Sequence, residues 1–262
     1  MKKMFVLAGV FAFSQMLFAA GPSAEEIAKK SFLSSKVSDS VSDSTFTLIN
    51  EAGQERKRET KGSSKLVKGT TDNMRLVIFQ SPSDVKGTKT LLIEHSGKDD
   101  DMWIYLPALK KVRRLVSSDK KSSFVGTDFS YGDVIGHRVE DWDHKIVSES
   151  KVDGRSCWAM ESTPKSKDIA ENSGYSKRLA CIDQESFVML EGQAFDLDGK
   201  ELKKFKSSKI EKVDEKNQKW QPMRIEAENV QTKHRTVIEF KNYKVNQGVS
   251  DDLFTARSLE KQ

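Results

Sequence analysis

Two cysteines, five prolines and four histidines are all that 262 residues offer of the types that staple, kink or ligate. So few cysteines exclude a disulfide-framework scaffold and a cysteine-rich zinc module. The histidines, His95, His137, His144 and His234, show no zinc-helix spacing. The densest polar constellation is Asp133, His137, Glu140, Asp141, Asp143 and His144, and a second acidic group is Asp99, Asp100 and Asp101. Neither matches a calcium loop, and charges at such density ordinarily mark a solvated turn or loop tip, so no metal is expected. Serines are plentiful, but there is no Gly-x-Ser-x-Gly elbow, no base beside any of them and no glycine-rich phosphate cradle. No catalytic residues and no cofactor emerge, and the chain reads as a non-enzyme. A one-signed charge excess is missing too. Lys and Arg number 44 against 39 Asp and Glu, a formal +5, and the charges are interleaved. Nucleic-acid binding needs a concentrated basic stripe or a known module, and neither is present.

Long apolar runs are absent after residue 18. Before it, Lys2 and Lys3 precede an apolar stretch over residues 4–18, broken only by Ser14 and Gln15, and then Ala19, Ala20 and Gly21. A positive start, a short apolar centre and a small-residue exit describe a cleaved secretory signal over residues 1–20, with cleavage near 19–21. The exit carries no cysteine for lipid attachment. The remaining residues 21–262 read as one exported, soluble, periplasmic domain, and without the two signal lysines the formal charge falls to about +3. In an oxidising compartment, Cys157 and Cys181 are most simply a disulfide, worth roughly 3 kcal/mol in the chain-entropy model. The alternative is two buried thiols.

What the sequence does contain is strands. Residues 23–35 read as a helix, with Ser23 as cap, Glu25 and Glu26 at its positive end and an apolar stripe of Ala24, Ile27, Ala28 and Phe32. Residues 36–43 read as a polar connection. From residue 45 the period becomes two, and strands are expected over 45–50, 55–60, 73–80, 89–95, 102–106, 112–116, 144–152, 156–163, 176–182, 187–196, 201–213, 221–229 and 235–245. Residues 251–259 read as a short terminal helix. Hairpin turns at Gly53, Gly154 and Gly199 imply an antiparallel meander that must curl or close. Several strands are apolar on both faces, among them residues 76–79, 91–93 and 103–105. A sheet covered on one side alternates cleanly. Two apolar faces mean either a sheet packed between layers or one that also lines a cavity.

Three runs carry a resemblance: SPSDVKGT (residues 81–88), MWIYLPALKKVRRL (102–115) and SFVGTDFSYGDV (123–134). GYSKRLACID (174–183), FDLDGKELK (195–203), KWQPMRIEAENVQTKHRT (219–236) and DDLF (251–254) extend it over most of the chain. Together they resemble the outer-membrane lipoprotein-sorting protein family, related to the periplasmic carrier LolA of Gram-negative bacteria. The resemblance implies a mainly β (α+β) fold: a single incomplete, strongly curved antiparallel β-barrel with an N-terminal helix, and with helices and loops covering the open side over an apolar cavity. It also implies a carrier or acceptor of lipid or lipoprotein between membranes. The runner-up is an accessory subunit docking to an inner-membrane transporter of the resistance-nodulation-division class without stable lipid binding. Residues 72–80 lack the Arg-Pro and Phe-x-Trp pattern of LolA itself, so its lipoprotein cargo and lid-locking arginine do not carry over. A monomer is expected.

Physics requires such a carrier to have an apolar hole, because exposing an acyl chain costs about 0.8 kcal/mol per CH₂, on the order of 12 kcal/mol for about sixteen carbons. Alternation nominates Phe46, Leu48, Leu76, Ile78, Leu91, Ile93, Trp103, Tyr105, Ile225, Ile238 and Phe240 as its lining, and a one-residue slip would invert the set. The long connection over residues 119–136 mixes Phe124, Phe129 and Tyr131 with glycines. It is either a mobile functional element or a permanent aromatic plug. Lys110, Lys111, Arg113 and Arg114 form either a basic docking patch or a solvated edge that resists aggregation.

Overall fold

The computed structural model describes residues 21–261. The signal peptide read at residues 1–20 lies outside the described residues. Helix α1 (Ala24–Leu33) begins at Ser23, whose hydroxyl accepts from the Glu26 N–H at 3.2 Å while the Glu26 carboxylate accepts from the Ser23 N–H at 2.8 Å. Its one fully buried residue, Ile27, packs on Met160 and Ile182.

The first half of the sheet is β1 (Asp39–Ile49), β2 (Glu55–Leu66), β3 (Asn73–Ser81), β4 (Lys89–Ile93), β5 (Asp101–Leu106) and β6 (Lys111–Leu115). The second half is β7 (Trp142–Val152), β8 (Arg155–Pro164), β9 (Lys177–Asp183), β10 (Met189–Phe195), β11 (Glu201–Asp214), β12 (Lys219–Asn229) and β13 (His234–Val245). Two further helices, α2 (Tyr131–Ile135) and α3 (Lys167–Ser173), interrupt them. Among the described residues these thirteen strands form one antiparallel sheet in the order β6-β5-β4-β3-β2-β1-β13-β12-β11-β10-β9-β8-β7.

Two meanders are therefore zipped together by β1 against β13, with Phe46 opposite Ile238. The free edges are β6 and β7, and they do not pair. The barrel is incomplete. Its ends are consecutive in sequence, so residues 116–141 must travel from one edge to the other, and they do so across the concave face. Bulges between Val41 and Asp43, Glu59 and Thr60, and Ile146 and Ser148 supply local bend.

The concave core joins Phe46, Phe79, Leu92, Met102 and Ile238 of the sheet to Phe124, Phe129, Tyr131 and Ile135 of the crossover. The opposite face of β3–β5 is covered as well: Leu76 and Leu91 pack under Val249, Phe254 and Leu259 of the C-terminal segment. Both apolar faces of these strands are thereby used.

Three local expectations need correction. β1 starts at Asp39, where a polar connection was expected. Ser40 and Ser44 hold the buried-face positions that apolar residues usually occupy, so the period of two is hidden in the sequence. The terminal segment forms two short 3₁₀ turns, Asp251–Leu253 and Ala256–Leu259, in place of one helix. The Asp133–His144 constellation is only in part a solvated turn: Glu140 and Asp143 are exposed, whereas the Asp133 and His137 side chains are buried on the concave side. Among the described residues no group of His, Cys, Asp or Glu converges to hold a metal.

Candidate functional site

The site begins with the way the crossover is fastened. In GTDFSYGD the Ser130 hydroxyl caps α2 by accepting from the Asp133 N–H at 3.0 Å, and the Ser130 N–H returns a bond to the Asp133 carboxylate at 2.8 Å. That carboxylate also accepts from the Tyr175 hydroxyl at 2.9 and 3.0 Å and from the Lys203 ammonium at 2.9 Å, with His137 Nε2 at 3.5 Å. Burial alone would raise the pKa of Asp133, but Lys203, His137 and the Ser130 N–H hold it well below the usual carboxylate range. Burial, reinforced by the charge of Arg178, lowers His137 to about 4 against the pull of Asp133. At neutral pH the histidine is uncharged, and its ring stacks edge-on against Trp142.

Asp128 makes a second tether. Its carboxylate accepts from the Thr236 hydroxyl and His234 Nδ1, both at 2.6 Å, while its N–H donates to Thr236 Oγ1 at 3.0 Å. Two arginines from the sheet complete the set: Arg58 donates to the Val125 carbonyl and Arg75 to the Val134 carbonyl. Val125 has a left-handed backbone, φ 50°, which costs a β-branched residue about 1–3 kcal/mol and persists because its surroundings hold it.

Between α1, this crossover and the sheet lie two adjoining clefts. The first, about 370 Å³, runs between Phe32 of α1 and Trp142, Met160, Ile182 and Phe205. The second, about 360 Å³, has a floor of small residues on β1 and β2 (Ser40, Ser42, Ser44, Gly62 and Ser64) and walls of Phe46, Val77, Ile238 and Phe240. The small side chains create the space: a leucine at each serine would fill it. The clefts share Phe32, Ser35, Phe129, Asp133, Gly136, Pro222 and Ile225. Gly136 is required there, since its φ is 102° and a Cβ would stand 3.3 Å from the Phe32 ring. Beside the second cleft the buried Lys36 ammonium pairs with Glu94 and lies 3.6 Å from the centre of the Phe32 ring. Each volume falls in the roughly 300–1,000 Å³ range of small-molecule sites.

The expected lining divides between the two faces. Phe46, Ile225, Ile238 and Phe240 border the second cleft, and Leu48 lies farther along the same face in the core. Leu76, Ile78, Leu91, Ile93, Trp103 and Tyr105 lie on the opposite face under the C-terminal segment. The concave positions on those strands belong to Val77, Phe79, Leu92, Met102 and Ile104, one residue out of phase. Alternation cannot choose between faces when both are apolar. Phe124, Phe129 and Tyr131 are buried against the sheet. Lys110 and Lys111 are exposed at the β5–β6 turn, whereas Arg114 pairs with Asp101 at 2.6 Å and Arg113 lies 3.9 Å from Asp119. Cys157 and Cys181, on neighbouring strands β8 and β9, form a disulfide with Cα atoms 5.5 Å apart.

The sequence reading missed Arg58, Arg75, Glu94, Arg178 and Lys203. For the four cations the signal was phase: each shares the alternation of concave residues on its own strand, as Arg178 does beside Ala180 and Ile182, while Glu94 directly follows β4.

An open, thirteen-stranded antiparallel half-barrel with a helix and a crossover lying in its concavity is a fold shared with solved structures. A LolA superfamily protein from Nitrosomonas europaea superposes with TM-score 0.68 at 16% identity, covering 90% of this chain and 98% of that one. An outer membrane lipoprotein-sorting protein domain from Vibrio parahaemolyticus gives TM-score 0.82 at 27% identity, over 91% of this chain and 98% of that one. A DUF1329 family protein from Desulfovibrio piger gives TM-score 0.82 at 30% identity, over 90% and 97%. A family model described only as an uncharacterized-protein-like family matches residues 71–261. The chain belongs to the DUF1329 family. Among curated proteins none matches it.

Proposed function

We propose that this protein is a periplasmic, non-enzymatic carrier or acceptor that holds an acyl chain of a lipid or lipoprotein in the paired clefts. The observation that carries this reading is the pair of adjoining clefts that meet at Phe32, Phe129 and Ile225, the second kept open by a serine and glycine floor. A protein built only as a rigid adaptor gains nothing from that space, because an unfilled apolar gap forfeits packing contacts. The similarity to a lipoprotein-sorting domain supports the same compartment and cargo class. A signal peptide over residues 1–20 would deliver the chain there. The basic residues at the β5–β6 turn would then face the anionic headgroups of a membrane or an acidic partner.

A cleft-filling substitution tests this. Ser42 lies on the floor of the second cleft, opposite Gly62. Ser42→Phe should leave the far-ultraviolet circular dichroism unchanged and abolish uptake of a fluorescent fatty acid. Uptake unchanged in a folded Ser42→Phe protein would count against the cleft as the binding place.

A further inference from the structure

Three cations border the first cleft: Arg138, Arg178 and Lys206. Arg138 is engaged with Asp100 and the Lys98 carbonyl, and Lys206 with Asp153 and Glu191. Arg178 differs from both. Among the described residues it has no ion pair and no hydrogen-bond acceptor, and its guanidinium rests 5.5 Å from the Trp142 ring centre. β9 places it on the concave face, opposite Ser162 of β8 and Ala194 of β10. Neither neighbour carries a countercharge.

The nearest acid on this side is Asp133, and it is already saturated. A carboxylate offers about four acceptor directions. Tyr175, Lys203, His137 and the Ser130 N–H occupy them. The two side chains between Arg178 and the rest of the polar face are committed as well. His144 Nδ1 is 2.8 Å from the Ser162 hydroxyl, and His144 Nε2 is 3.0 Å from the Val139 carbonyl. A guanidinium with five donors thus borders an apolar cleft, stacked on an indole and provided with no partner by the protein. Half-buried, the group is left to water in the open cleft, and an apolar ligand that covered it would remove that hydration without replacing it. A guanidinium's fork fits carboxylate and phosphate oxygens in pairs.

We propose that Arg178 reads the anionic end of the cargo: the first cleft binds an amphiphile whose carboxylate or phosphate pairs with Arg178 while its acyl chain runs past Phe129 toward the serine-floored cleft. This rests on the carrier reading and adds the charge of the ligand to it. A neutral lipid would bury the guanidinium without satisfying it, so the cleft discriminates by headgroup charge and not by chain alone.

The test compares oleate, oleyl alcohol and inorganic phosphate as probes on the delipidated protein, by displacement of an environment-sensitive dye. Wild type should bind oleate roughly ten- to a hundred-fold more tightly than oleyl alcohol, the scale of a lost charge-assisted pair. Arg178→Gln should erase that preference by weakening oleate while oleyl alcohol binds at least as tightly as before, since no unpaired guanidinium is then covered, and Arg178→Lys should restore part of the preference. Phosphate should compete only at far higher concentration than oleate. If oleate and oleyl alcohol bind equally, or if Arg178→Gln weakens both alike, the assignment is overturned and the carrier reading stands. Phosphate binding as tight as oleate would also overturn it, since the anion alone would then be the ligand. If neither lipid binds wild type, the carrier reading itself fails and takes this assignment with it.

Discussion

The Tyr175 hydroxyl donates to both carboxylate oxygens of Asp133, at 2.9 and 3.0 Å, joining two segments 42 residues apart. Tyr175 leads into β9, and Asp133 sits in the crossover, so this contact fastens the strap over the concave face to the far half of the sheet. Tyr175→Phe keeps the ring and removes one donor from a buried charge. The expected loss is about 1.5–3 kcal/mol of unfolding free energy by urea titration. Asp133→Leu should cost more, because it leaves the buried Lys203 ammonium unpaired.

The same network makes the fold acid-sensitive. His137 titrates at about 4 in the native state, below its ordinary 6.5, so the unfolded chain takes up a proton first as pH falls. Stability is full above pH 6.5 and declines toward pH 4, by about 3 kcal/mol for this one group. Asp133, depressed by the same contacts, adds a loss at still lower pH, where the unfolded carboxylate takes up a proton while the native one is still ionised. Melting temperatures across this range should fall less steeply in His137→Gln than in wild type. Parallel slopes would show that His137 is not the group responsible.

The disulfide closes a sequence separation of 24 residues between β8 and β9. Replacing both cysteines by alanine should cost about 3 kcal/mol in the chain-entropy model and leave the sheet intact. Matching melting curves for the oxidised wild type and the double variant would contradict this.

Exchange of amide hydrogens tests whether the crossover moves. It is held by the Arg58 and Arg75 bonds to the Val125 and Val134 carbonyls, and it contributes Phe129 and Gly136 to both clefts. Protection over residues 124–136 should lie below that of β1 and β13, rise when fatty acid is added, and drop in Arg58→Met with Arg75→Met. Exchange as slow as in the central strands and unchanged by lipid would mark a permanent plug.

At the β6 edge, Lys110→Glu with Lys111→Glu should weaken binding to anionic vesicles at low salt, with little effect at high salt, where exposed charges are screened. These two are chosen because Arg113 and Arg114 lie near Asp119 and Asp101. Equal binding of the variant at low salt would reduce the group to an aggregation-resistant edge.

The strands were legible in the sequence because turns such as Gly154 and Gly199 punctuate them and the period of two is clear from Thr45 on. The open half-barrel and the family were legible from motifs such as GTDFSYGD. The inner face was harder to read for two physical reasons. Leu76, Ile78, Leu91 and Ile93 are as apolar as their concave neighbours, because the C-terminal segment buries them too. The cleft floor, in turn, is serine and glycine, which read as connection in sequence and act as space in the structure. α2 and α3 are short, and both are set by Ser caps, at Ser130 and Ser166, with little apolar periodicity to announce them.

Native mass spectrometry of the protein purified gently from its native host tests the central claim most directly. A carrier with paired clefts should show the intact chain plus a discrete mass of an acyl-bearing species, absent from Ser42→Phe purified in parallel. A single lipid-free mass for wild type, from a protein that also fails to take up fluorescent fatty acid, would contradict it.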